Sequence, residues 1–81
     1  MKNTTKITLW GRTIEIDKEL YETAMSRLKI YDIEELEYET AVSFNPKRGT
    51  DLKKMIKNHS DKELTTKAEN ALKHRLELLN D

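Results

Sequence analysis

Two short runs near the N-terminus, Lys6–Trp10 and Thr13–Ile16, alternate apolar and polar residues with the period of a β-strand. They are rich in β-branched side chains, which suit a pleated, half-buried surface. Gly11 and Arg12 lie between them. A two-residue loop with glycine first fits a type II′ turn. That loop sets Trp10 opposite Thr13, Leu9 opposite Ile14 and Ile7 opposite Ile16. Ile7, Leu9, Ile14 and Ile16 then share one face, and Thr8, Trp10, Thr13 and Glu15 the other. A lone hairpin is marginal in water, so the aliphatic face needs a cover.

The next pattern supplies one. Over Lys18–Lys29, the residues Leu20, Tyr21, Ala24, Met25 and Leu28 recur at spacings of three and four, which predicts an amphipathic helix. Asp17 is its expected N-cap. Glu19 and Glu22 in the first turns and Arg27 and Lys29 in the last suit the helix dipole. Asp32–Phe44 carries two patterns at once. Its composition favours helix. Yet Leu36, Tyr38, Thr40, Val42 and Phe44 alternate with Glu37, Glu39, Ala41 and Ser43, as in a half-buried strand. The alternation predicts a third strand over Leu36–Phe44, after a turn at Asp32–Glu35, with strand order 2-1-3 and antiparallel neighbours. A second helix over Ile33–Ser43 is the rival.

Asn45-Pro46-Lys47-Arg48-Gly49 breaks the chain, since proline cannot donate to a ladder and glycine accepts positive φ. A short helix over Asp51–Asn58, capped by Thr50, is expected next. Ser60-Asp61-Lys62-Glu63 has the form of a capping box and opens a last helix reaching about Leu79. Leu64, Ala68, Ala71, Leu72, Leu76 and Leu79 form its stripe. At about 28 Å this helix outruns a five-residue strand, so its leucine-rich end is expected to overhang the sheet. The whole is one α+β domain over 1–81: an N-terminal β-hairpin, a helix, a third antiparallel strand and two C-terminal helices. Met1–Thr4 is expected to fray.

Composition narrows the setting. The 81 residues contain no cysteine, so disulfides and thiolate metal sites are excluded. No apolar run approaches the length of a membrane span, and MKNTTK lacks the apolar core of a signal peptide. A cytoplasmic protein is the expectation. Fifteen basic residues balance 15 acidic ones, but unevenly. Tyr31–Asn45 holds five acids and no base, a local −5. Pro46–Lys67 holds seven bases against three acids, a local +4.

No enzyme signature emerges. His59 and His74 stand alone, with no acid–base partner by spacing, and each is read as a surface histidine on or beside a helix. Ser26, Ser43 and Ser60 lack a nucleophile elbow. The acids of Asp32–Glu39 lack the spacing of a calcium loop, and no cofactor is implied. Two binding readings remain. In the first, a protein partner or a second copy of the chain meets Trp10 and Arg12 at the hairpin tip, the acids Glu35, Glu37 and Glu39, and the helix-end leucines Leu72, Leu76 and Leu79. In the second, Lys47, Arg48, Lys53, Lys54 and Lys57 contact nucleic-acid phosphates. Overall neutrality and the acidic segment weigh against the second, so protein binding leads.

The opening MKNTTKITLWGRTIEIDKELYE resembles that of many small accessory proteins of large lytic bacteriophages, short Cys-free chains rich in Lys, Asn, Thr, Ile and Glu. The resemblance implies a regulator that binds a host or phage factor, such as a defence nuclease, a toxin, RNA polymerase or the lysis machinery. It assigns no site residue.

Overall fold

The computed structural model describes residues 3–29 and 31–79. The hairpin forms from β1, Thr4–Leu9, and β2, Arg12–Asp17. Its loop is Trp10-Gly11, not Gly11-Arg12. Both loop residues have positive φ, 53° at Trp10 and 78° at Gly11. That is the signature of a type I′ turn, which matches strand twist as well as II′ does. The register therefore pairs Leu9 with Arg12, Thr8 with Thr13 and Ile7 with Ile14. This differs from the expected pairing by two residues. Because side chains alternate with a period of two, a two-residue shift leaves every face unchanged. Ile7, Leu9, Ile14 and Ile16 are accordingly all buried. Of the Met1–Thr4 segment expected to fray, residues 1 and 2 lie outside the described residues, and Thr4 already belongs to β1.

Helix α1, Lys18–Arg27, follows directly, with the Asp17 side chain accepting from the Leu20 N–H at 3.1 Å. Helix α2, Ile33–Val42, replaces the expected third strand, and the sheet has two strands in the order β1-β2. Asp32 caps α2 by accepting from the Glu35 N–H at 3.0 Å. Two periods coincide in this segment. Leu36, Thr40 and Phe44 are four residues apart, and a spacing of four satisfies both a strand and a helix. Ile33 and Ala41 decide between them. Both turn inward with Leu36, Thr40 and Phe44, which is a helical stripe and not an alternating one. The buried Thr40 hydroxyl donates to the Leu36 carbonyl at 2.7 Å, so α2 carries its one polar core side chain without a lost hydrogen bond.

Helix α3, Leu52–Lys57, is capped by Asp51, which accepts from the Lys54 N–H at 3.2 Å. Thr50, the expected cap, instead donates its hydroxyl to the Lys47 carbonyl. The capping box forms as read. Ser60 Oγ accepts from the Glu63 N–H at 3.2 Å, and Glu63 accepts from the Ser60 N–H at 3.1 Å. Helix α4, Asp61–Leu79, is the spine, packed against α1, α2 and β2. Its Leu64, Ala68 and Leu72 are fully buried beside Leu9, Ile16, Leu36 and Ile56.

Candidate protein-interaction face

The hairpin tip is fastened to the helices on both sides. Trp10 donates its backbone N–H to the Glu37 carboxylate at 2.7 Å and its indole N–H to the Glu37 carbonyl at 2.8 Å. These bonds hold a bulky residue at positive φ, where a non-glycine backbone is disfavoured. Arg12 reaches the other way. Its guanidinium donates to the Ile56 carbonyl at 3.1 Å, to the His59 carbonyl and to the Asp61 carboxylate. One cation thus serves two carbonyls where the chain leaves α3, of which that of Ile56 also accepts from the His59 N–H at 3.1 Å, and an acid in the first turn of α4. Both residues expected to greet a partner at the tip are engaged within the chain.

The acidic segment is partly engaged too. Glu39 accepts from Arg75 Nε at 2.6 Å and from the Tyr31 hydroxyl at 2.8 Å, while Glu35 lies 4.0 Å from the same guanidinium. Arg75 also sits 5.2 Å from the Tyr31 ring centroid. Burial, together with the carboxylate accepting its proton, pushes the Tyr31 phenol well above the ordinary tyrosine range. The hydrogen bond to Glu39 raises Arg75 as well. Of the helix-end leucines, Leu72 is core, Leu76 is half-buried, and Leu79 is exposed beside a cavity that it lines with Leu28, Tyr31 and Arg75.

Besides Leu78 and Leu79 at the end of α4, the exposed large apolar residues form a face that the alternating pattern hid. Tyr38 is 59% exposed and Val42 43%, the two large apolar residues that α2 turns outward. Tyr38 stands two residues from Leu36 and so about 200° around the helix from it. Grooves run along both sides of the Tyr38–Val42 row. One, of about 380 Å³, lies between α2 and α4 and is lined by Ser43, Lys67, Ala71 and His74. The other, of about 490 Å³, lies against the loop 45–50 and is lined by Pro46, Lys47, Arg48 and Leu52. The Lys67 ammonium donates to the Ser43 carbonyl at 3.3 Å and lies 5.4 Å from the Phe44 ring centroid. His74 is exposed, as expected, and lines the α2–α4 groove, whereas His59 is half-buried and not a free surface residue: it stacks on Phe44 at a centroid distance of 4.0 Å and meets Glu63 one turn on at 3.4 Å.

The basic segment has a different character. Lys47, Arg48, Lys53, Lys54 and Lys57 are all exposed, and none forms an ion pair within 4 Å among the described residues. The sequence names all five but misses Tyr38 and Val42. A helical reading of Ile33–Val42, with Leu36 inward, would have placed that pair outside. No described helix is long and apolar enough to cross a membrane, and no three metal-ligating side chains cluster among the described residues. Comparison with protein-family models, with curated proteins and with solved structures gives no match.

Proposed function

We propose that this chain is a small, non-catalytic protein-binding regulator of the cytoplasm, working through the outer face of α2 and the groove beside α4. The observation that carries the reading is the Tyr38–Val42 row. Two large apolar side chains are displayed together between two grooves, on a helix whose inner side is fully engaged with the core. Contiguous exposed apolar surface rimmed by polar residues is a mark of contact sites. The resemblance to phage accessory proteins supports a regulatory role by contact. A defence nuclease, a toxin, or the transcription or lysis machinery is then the kind of target to expect.

A second reading is favoured by its own observation. Five exposed cations without an ion-pair partner among the described residues, on the loop 45–50 and α3, suit phosphate contact, as a small nucleic-acid-binding protein would need. One experiment separates the two. A photo-crosslinking amino acid at position 38 is expected to yield protein adducts in cells, and the same group at position 54 to yield none to nucleic acid. Nucleic-acid adducts from position 54, with none to protein from position 38, would overturn the first reading in favour of the second.

A further inference from the structure

We propose that the occupant of the Tyr38–Val42 face is a second copy of this chain, packed with its α2 antiparallel across the first about a two-fold axis. The inference rests on the reading of that face as a protein-contact surface and names its partner.

Charge favours an antiparallel copy. Glu34 lies one turn before Tyr38 on the same side of α2. It is exposed and has no ion pair within 4 Å among the described residues. At the opposite end of the row are Lys47 and Arg48, exposed and equally unpaired, both lining the groove that Tyr38 and Val42 border. The face is therefore acidic at one end, apolar in the middle and basic at the other. A parallel copy would set like charge on like. An antiparallel copy sets each acidic end on a basic one. With the axis between Tyr38 and Val42, each Tyr38 covers Val42 of the second copy. Each Glu34 then comes beside Pro46 and Lys47 of the second copy. The same patch serves on both subunits, which is what a closed two-fold dimer requires.

Shape favours the same arrangement. A ridge with a groove on either side is a form that fits an inverted copy of itself, ridge into groove. The groove of about 490 Å³ beside Val42 and Pro46 faces the place where Tyr38 of the second copy would stand. Glu39, Arg75 and Tyr31 keep their internal partners in this arrangement, so no buried polar group is given up. The ten residues of α2 span only about 15 Å, so the contact belongs to the weak end of specific interfaces.

Sedimentation equilibrium of the whole chain at low salt tests this. The expected result is a concentration-dependent monomer–dimer equilibrium that weakens as salt screens the end charges. Tyr38→Asp is expected to leave only monomer. Glu34→Lys alone and Lys47→Glu alone are each expected to raise the dissociation constant by about tenfold or more, because a two-fold interface feels every substitution twice. Glu34→Lys combined with Lys47→Glu exchanges the two ends and is expected to restore the wild-type constant. Monomer at every soluble concentration overturns the proposal. So does a dimer indifferent to Tyr38→Asp, or a doubly reversed chain that stays dissociated. The crosslinking result keeps this failure apart from that of the broader reading. A monomer whose position 38 crosslinks to another protein removes the second copy and leaves the contact face standing. A monomer that crosslinks to no protein there removes both.

Discussion

The hairpin tip and the outer row of α2 each place an aromatic residue beside charges, and they end in opposite situations. Trp10 and Arg12 look like a displayed pair, yet five hydrogen bonds tie them to Glu37, Ile56, His59 and Asp61. Tyr38 and Val42 look like core, yet both lie open to solvent. Polar reach explains the difference. An indole N–H and a guanidinium at a tight turn find helix carbonyls and carboxylates close by, and charge-assisted bonds of this kind are the strong ones. Tyr38 and Val42 are placed only by helix phase, which turns them away from the core that holds Leu36 and Thr40.

The largest effect is expected where the two periodicities disagree. Leu36→Ala should cost about 2–5 kcal/mol, as other buried leucine truncations do. Val42→Ala should stay within about 0.5 kcal/mol, as surface changes do. Urea denaturation of both variants checks this. Equal losses at the two positions would return them to one face and restore the strand.

Arg12→Met comes next. It keeps the apolar stem and removes the donors, leaving two carbonyls and the Asp61 carboxylate without this partner. A loss of about 1.5–3 kcal/mol is expected from bonds involving a charged group, read as a lowered urea midpoint with an unchanged slope. A neutral result would return Arg12 to the surface.

Some of these features are local in the sequence and others are not. Asp17, the Ser60–Glu63 box and the Asp61–Leu79 span were legible because caps are local chemistry, settled within one turn. The four aliphatic positions of the hairpin were legible despite the wrong loop, because face depends only on odd or even count. The loop itself was not, since a tryptophan at φ 53° goes against the usual Asn-Gly preference and is sustained by Glu37, 27 residues away. Helix α2 was obscured because Leu36, Thr40 and Phe44 fit both periods. That ambiguity also concealed the candidate face, whose residues are the ones a strand would have buried.

A smaller effect lies at the base of the tip, where α4 begins. Glu63 titrates below the ordinary carboxylate value of 4.5, chiefly because it accepts from the Ser60 N–H and also because it meets His59 at 3.4 Å. Its folded value is depressed, so its contribution is complete above the unfolded value and is lost as pH falls through the folded one. Thermal midpoints followed downward from about pH 6 should fall less steeply for Glu63→Gln than for the wild type. Parallel curves would mean that the box does not set the acid limb.

The most direct test sets the two aromatic residues against each other. Trp10→Ala and Tyr38→Ala, denatured in urea at one protein concentration low enough to keep the chain monomeric, should differ sharply. The expected loss is about 2–4 kcal/mol for Trp10, half-buried and twice hydrogen-bonded, and no more than about 0.5 kcal/mol for Tyr38. Equal losses, or a larger one at Tyr38, would contradict the fastening of the tip to the helices and the assignment of the α2 row to the surface.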